Sequence, residues 1–356
     1  MLTVPADPPT ALLVLSFGGP DRPADVLPFL RRVTAGRGVP DERLTEVAEH
    51  YHRFGGRSPI NEQNRALLDA VRAEFGRRGQ AVPVYWGNRN WHPLLADTVR
   101  RIAADGHRRV AVFVTSAYAS YSGCRQYREN LADAVAQTGL SETLSLVRLP
   151  HYHARPGFVA PFADGLRDAL ARLPTGASTV FVTHSIPTAM DAAAGPHGHA
   201  YTAQHRQTAQ LVAAAAGLAP AAGGPPADRG QRNGEPWLMA YCSRSGPPSM
   251  PWLEPDVNDV LRRLAGAGCP GVAVVPIGFV SDHMEVRYDL DTEAAGTAAD
   301  LGLAYARVST PGIDPRFVAT IADMFDECAA DPAAHRCPAG CCANPRGPRP
   351  ALCGCD

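Results

Sequence analysis

Apolar residues in this chain fall into short unbroken runs, separated by longer stretches in which they recur every three to four positions. The runs at 11–16 (Ala-Leu-Leu-Val-Leu-Ser), 82–86, 109–115, 143–148, 178–183, 237–242, 271–276 and 303–307 read as strands buried on both faces. Between them the helical period predicts helices over 22–33, 41–53, 59–78, 93–105 and 124–138, then over 156–172, 199–216, 254–267, 282–298 and 313–327. Strand and helix alternate, and the alternation restarts near residue 155. An α/β chain of two doubly wound parallel-sheet domains, 1–155 and 156–327, is therefore expected, followed by a Cys-rich tail at 328–356.

One stretch breaks the ordinary pattern. Residues 276–293 leave the apolar run Val272, Val274, Val275, turn through Gly278 and offer Ser281 and Asp282 as caps for a helix. On that helix Glu285, Asp289 and Glu293 stand at i, i+4 and i+8, three carboxylates on one face, with His283 at its mouth. Each adjacent like-charged pair costs an isolated helix about 0.2–0.5 kcal/mol, so the stripe suits a route for cations or protons. Asp282-x-x-Glu285 is equally a capping-box spacing. A histidine, His184, ends the run Val180-Phe-Val-Thr. If the two strands are neighbours, His184 faces Glu285 across a cleft, an imidazole opposite a carboxylate, suited to moving two protons and a dication.

Composition narrows the partner. The 356 residues carry a net charge of -1 with 45% hydrophobic and 19% charged content, which gives no basic face for nucleic acid or an anionic membrane and leaves a small molecule. No basic leader with a long apolar core and no spanning apolar run is present, so a cytoplasmic enzyme is expected. Arg31, Arg32 and Arg37 surround a Gly-containing loop, and Gly55-Gly-Arg-Ser58 precedes a helix, a setting that reads carboxylates or phosphates as well as it caps a helix. The Gly-Pro-rich residues 219–234 read as a surface insertion. Of nine cysteines, six follow residue 327, a crowding that points to a metal or a cluster rather than to disulfides.

Five motifs then occur in one order: Leu15-Ser-Phe-Gly-Gly-Pro20, Gly55-Gly-Arg-Ser-Pro-Ile60, Thr183-His-Ser-Ile-Pro187, Pro251-Trp-Leu-Glu-Pro-Asp256 and Gly278-Phe-Val-Ser-Asp-His-Met-Glu285. Through them the chain resembles the ferrochelatases, which insert ferrous iron into a porphyrin, from about residue 10 to residue 327. The resemblance implies Rossmann-like, chelatase-like domains with porphyrin held between them. It makes His184 and Glu285 the catalytic pair and adds Asp289 and Glu293 as an acidic route for metal or protons. It assigns Phe17, Arg37, Ser58 and Tyr127 to the substrate, Phe17 replacing a tyrosine that firmicute-type members direct at the metal. The form is most similar to actinobacterial members that use coproporphyrin III, a four-carboxylate substrate; protoporphyrin stays open. So does a cobalt chelatase of the same fold, or a porphyrin carrier without turnover.

The resemblance also gives the tail a purpose. Some ferrochelatases hold a [2Fe-2S] cluster with cysteines of a C-terminal extension and one of the first domain, at the place of Cys124. On that pattern Cys124, Cys328, Cys337 and Cys342 are the expected ligands, Cys341 competes with Cys342, and a four-thiolate zinc site is the alternative. Expected partners are porphyrin, Fe(II) and, transiently, the enzymes before and after it in haem synthesis.

Overall fold

Ala11–Ser16 forms a strand in which all six residues are withdrawn from solvent, a burial on both faces that parallel strands between helices sustain. The computed structural model describes residues 7–36, 38–218, 236–246, 249–331, 337–338 and 340–352. Arg37 and the 219–234 insertion lie outside the described residues. The strands are β1 (Ala11–Ser16), β2 (Val84–Asn88), β3 (Arg109–Val114), β4 (Ser145–Arg148), β5 (Ser178–His184), β6 (Leu238–Cys242), β7 (Gly271–Val275) and β8 (Ala304–Arg307). The helices are α1 (Val26–Val33), α2 (Asp41–Arg53), α3 (Ile60–Arg77), α4 (Leu95–Ala104), α5 (Gln126–Thr138), α6 (Pro156–Arg172), α7 (Thr188–Ala192), α8 (Ala200–Ala216), α9 (Val257–Gly266), α10 (Ala295–Asp300) and α11 (Pro315–Ala330).

Two four-stranded sheets result, β2-β1-β3-β4 and β6-β5-β7-β8, with every pairing parallel. Each sheet thus has the same internal order, with its first strand between its second and third. In that order the direction of winding reverses beside the first strand, and ligands of such sheets bind outside the strand ends at this point. For the second sheet the reversal lies between β5 and β7, the strands that end at His184 and before Gly278. The residues fall in two compact units: Met1–Ser116 with Tyr121–His151 and Val318–Asp356, and Ala117–Ser120 with Tyr152–Phe317.

Each sheet has its own core. In the first unit Leu13, Leu15, Val112 and Val114 pack with Val99 and Ile102 of α4 and Leu131 and Val135 of α5. In the second, Val180, Val182, Val272 and Val274 pack with Val260 and Leu261 of α9 and with Val286 and Leu290. Burying each such side chain contributes about 1.5–3 kcal/mol, enough to make the strand pairing, and hence the placing of strand ends, the rigid part of the molecule.

All eight expected strands are present, but the helix after β7 differs from the expected α-helix over 282–298. Residues Val286–Ala294 form a π-helix; the Ala295 N–H, for example, reaches the Leu290 carbonyl five residues back. Such widened turns cluster at functional sites. Asp282 also reaches beyond this helix: its carboxylate accepts from Arg307 of β8 at 3.1 Å and from Thr310 at 2.9 Å, and His283 Nδ1 accepts the Glu285 N–H at 3.2 Å. An arginine that also ion-pairs with Asp291 is a stronger partner for Asp282 than a backbone amide. The five-residue α7 was not expected, being shorter than any periodicity can reveal.

Gly278 carries the turn out of β7. A Cβ there would lie 2.2 Å from Thr183 Oγ1 and 2.8 Å from Thr183 Cα, so any side chain pushes the turn off β5. Gly278→Ala is expected to cost about 1–3 kcal/mol, the usual range for overpacking, read as a lowered thermal midpoint in calorimetry; an unchanged midpoint would mean that the turn relaxes freely.

Candidate active site

The pairing of β5 with β7, Phe181 opposite Val275, places the two strand ends side by side. His184 closes β5, and the chain beyond β7 brings Glu285 back over it. His184 Nε2 lies 3.6 Å from Glu285 Oε1, and His283 Nε2 lies 3.9 Å from Glu285 Oε2. The ring of His184 is 31% exposed and the Glu285 side chain 50% exposed, so the pair is open to a ligand.

The tautomer of His184 follows from its surroundings. Its Nδ1 bonds to the Ser185 carbonyl, which can only accept, so Nδ1 keeps its hydrogen and the exchangeable proton sits on Nε2, facing Glu285. Behind it Tyr201 donates to the His184 carbonyl at 2.7 Å, and the Tyr201 hydroxyl meets Thr183 Oγ1 at 3.0 Å. His205 Nδ1 donates to the Tyr201 carbonyl at 2.8 Å, which leaves its Nε2 to accept from Thr183 at 2.7 Å. Burial pushes His205 down to about 3, so it stays neutral in this role. The result is a fixed backbone beneath a reactive ring.

Electrostatics set the proton inventory. Burial alone would lower His184, but the Glu285 carboxylate more than offsets it and lifts the imidazole to about 9. Conversely burial would raise Glu285, and His184 holds it at about 2. His283 is lowered by burial, although Glu285 opposes this. Asp289, one step along the helix, is raised to about 7 by burial first and then by the charges of Glu285 and Glu293, while Ser243 works the other way. Ser243 Oγ donates to Asp289 Oδ2. Ser243 follows β6 with φ 61°, a left-handed conformation that turns its hydroxyl toward the helix. Glu293 is exposed.

Sequence reasoning missed Ser243, Tyr201 and His205. The one available signal was the end of the apolar run 237–242, since Ser243 stands where a neighbouring strand finishes.

Of the expected substrate contacts, Phe17 and Tyr127 flank one guanidinium, that of Arg89. Phe17 is half-buried after β1, edge-on to Phe29 with 6.2 Å between centroids and 5.6 Å below the Arg89 guanidinium. Tyr127 belongs to the first core, its ring 4.5 Å beneath the same Arg89. Ser58 is buried where a Cβ on Gly19 would lie 2.7 Å away.

The cysteines gather at a second place, in the first unit. Cys337 and Cys342 act on the buried Cys124 thiol and hold it well below its ordinary range, against burial; Arg148 and His151 add to the effect. Cys337 and Cys342 lower Cys341 in the same way, to about 3. Cys341 Sγ and Cys342 Sγ are 3.8 Å apart, and Cys342 has φ 56°, a left-handed backbone that costs about 1–2 kcal/mol. The thiols brought together are thus Cys124, Cys337, Cys341 and Cys342. Cys328 is not among them: it is buried in the last turn of α11, raised by burial, with Arg109 the one charge acting on it. Among the described residues no group of three or more His, Cys, Asp or Glu side chains is arranged to hold a metal ion.

Comparison with known proteins shows the family. The ferrochelatase family profile matches residues 9–329. Coproporphyrin III ferrochelatase of Streptomyces coelicolor is 52% identical over 99% of this chain and 97% of its own length. The enzyme of the same name from Frankia alni is 52% identical over 96% of this chain and 88% of its own. Among solved structures, SirB from Bacillus subtilis with Fe3+ shares the fold at a TM-score of 0.54 and 12% identity, covering 90% of this chain and 96% of that one. No helix among the described residues is long and apolar enough to cross a membrane. With two doubly wound parallel sheets, the His184–Glu285 pair at a strand switch point and a profile match across nine-tenths of its length, the chain belongs to the ferrochelatase family.

Proposed function

We propose that this chain inserts Fe(II) into coproporphyrin III, giving iron coproporphyrin in haem synthesis, as a cytoplasmic enzyme. The observation that carries the catalytic part is the 3.6 Å pair of His184 and Glu285 beside a half-buried, proton-holding Asp289. The substrate is supported by the relatives' names at about half identity. The enzymes before and after it in the pathway are its expected transient partners.

Insertion must remove two pyrrole protons and strip a dication of water. His184 at about 9 is mostly protonated at neutral pH, as imidazolium against Glu285 carboxylate. An imidazolium neither accepts a proton nor binds a metal. Positive charge brought to Glu285 weakens what holds the Nε2 proton, and the ring becomes an acceptor only once the cation has arrived. Asp289, near 7, gives up its proton under the same influence, and Glu293 extends the negative face to solvent. Ordered in this way, metal entry prepares the base for the porphyrin protons. Phe17 has a phenyl ring and cannot ligate iron, so metal contact falls to the second-unit group His184, Glu285, Asp289 and Glu293. Phe17, Arg37, Ser58 and Tyr127 keep the porphyrin-contact role that the family resemblance gives them.

We further propose that Cys124, Cys337, Cys341 and Cys342 hold a [2Fe-2S] cluster, with Cys341 in the place expected for Cys328. Four gathered thiols, of which Cys124 and Cys341 are held low, stand beside buried cations and have the right donor chemistry. A single zinc ion asks four sulfurs to converge on one point, whereas a two-iron cluster takes them two per iron. When bound, the cluster supplies a buried iron-sulfur anion that ties tail to first unit; insertion itself is not a redox step.

Four outcomes follow. Anaerobic Fe(II) with coproporphyrin III or protoporphyrin IX, followed by product absorbance, should show insertion preferring coproporphyrin, and His184→Ala should lose about 10²–10⁴-fold; porphyrin binding without turnover would leave a carrier. Asp289→Asn and Glu293→Gln should raise the KM for Fe(II) more than that for porphyrin, and the reverse would remove the acidic route. In Glu285→Gln, the His184 pKa followed by NMR of labelled histidine should fall from about 9 toward the ordinary 6.5, since burial is then opposed only by the Ser185 carbonyl and the Asp289 charge. Anaerobically purified protein should be reddish brown with about two irons and matching sulfide, lost in Cys341→Ser and kept in Cys328→Ser; the opposite pattern would restore Cys328 as ligand.

A further inference from the structure

Helix α8 turns a polar face inward. Tyr201, Gln204, His205 and Thr208 stand at i, i+3, i+4 and i+7, and of these Tyr201, His205 and Thr208 are buried, where a helix ordinarily shows an apolar stripe to the core. Two phenols of this region lead to the site. The Tyr201 hydroxyl donates to the carbonyl of His184, the last residue of β5, at 2.7 Å. The hydroxyl of buried Tyr118 donates to the carbonyl of Ile277, just beyond β7, also at 2.7 Å. Each of the two strand ends that carry the His184–Glu285 pair is thus held by one phenol. The hold is needed there, because the β5–β7 ladder stops at Phe181 and Val275, short of His184. Past that register the Gly278 N–H meets the Val182 carbonyl at 3.3 Å, a weak bond, and the side chains of α8 complete the join.

His205 lies between the two phenols. Its ring stacks on Tyr118 with 3.5 Å between centroids and planes 16° apart, and it lies 4.3 Å from the ring of Tyr201. Its Nε2 accepts from the hydroxyl of Thr183, the residue before His184, at 2.7 Å, and its Nδ1 donates to the Tyr201 carbonyl at 2.8 Å. Gln204 fastens the other side: its Oε1 accepts the Ala119 N–H, next to Tyr118, at 2.7 Å. Both ring nitrogens of His205 are therefore used, and a fully satisfied buried polar network specifies one arrangement where apolar packing tolerates several. We propose that His205 is a positioning residue for the reaction: by stacking on Tyr118 and accepting from Thr183 it sets the spacing between the ends of β5 and β7, and through them the gap between His184 and Glu285. The inference rests on the catalytic pair proposed above and deepens it. His205 itself touches neither porphyrin nor metal, and it acts through Tyr118, Tyr201 and Thr183.

The test uses the full chain with Fe(II) and coproporphyrin III without oxygen, at a temperature where thermal scans show every variant folded. His205→Phe keeps a ring to stack on Tyr118 but loses both hydrogen bonds, and Tyr118→Phe removes only the hydroxyl on Ile277. Each should lower kcat several-fold, up to about 10²-fold should the gap shift by about 1 Å, while the KM values for iron and porphyrin move little. His205→Gln, whose amide oxygen can still accept from Thr183, should recover part of the loss. Crystal structures of the same proteins read the His184–Glu285 gap directly, and it should differ from that of the wild type in His205→Phe. Unchanged kcat with an unshifted gap in His205→Phe, or a loss carried by KM alone, would overturn the clamp; if that variant does not fold, the same readings on Tyr118→Phe decide. Wild-type protein that inserts no iron would remove the functional reading, and the gap in the variant structures then decides the clamp by itself.

Discussion

Parallel pairing of β5 with β7 is the constraint on which the rest depends. Because the register is set by residues with no exposed surface, Val180 against Val274 and Phe181 against Val275, the strand ends cannot slide without exposing both faces of the sheet. His184 is the last residue of one strand, and the other turns at once through Gly278 against Thr183. The imidazole and the carboxylate that follow are thus held apart at 3.6 Å by a packed sheet rather than by their own attraction. That matters for chemistry. A pair formed by attraction alone would collapse into an unreactive contact, whereas a pair held by the scaffold keeps room for a cation.

The same scaffold sets how much charge the stripe holds. Three fully ionised carboxylates in succession repel, and burial makes the middle one worse. Asp289 answers by keeping a proton to about 7, with Ser243 as its donor, so the resting helix carries less charge than its sequence suggests. The widened π-turn fits this arrangement. Turns closed by i+5 bonds drift opposite to α-turns, so residues four apart stay close to one face across the mixed segment.

Strands were legible because a doubly buried strand leaves an unbroken apolar run, as β1, β3, β5 and β7 do, while β4 and β8 are shorter and partly exposed. The His184–Glu285 pair was legible once adjacency of their strands was supposed, and the structure supplies it. The π-helix was not, since no residue preference separates i+5 from i+4 bonding. The Arg307 partner of Asp282 was not legible, because it lies a whole strand away in β8. The thiol set was half legible. The family pattern named Cys328, which lies buried in α11, and it left Cys341 and Cys342 as competitors; the thiols found near Cys124 are those of Cys337 and Cys342, and Cys341 stands with them beside a left-handed Cys342.

The tail has an anchorage that the cysteine pattern conceals. Arg349 pairs with Asp133 at 2.8 Å, its carbonyl accepts from Arg125 at 2.8 Å, Asn344 reaches buried Glu129, and the Leu352 N–H bonds to the Arg128 carbonyl at 3.1 Å. Glu129 lies at the centre, wholly buried, and a buried carboxylate is tolerated only when its partners stay. Residues 340–352 are therefore held to α5 by charge as well as by thiols. Docking of this kind brings the tail thiols to Cys124 through ion pairs and hydrogen bonds of the chain itself, and the loop-closure entropy of gathering four thiols distant in sequence is met by those contacts.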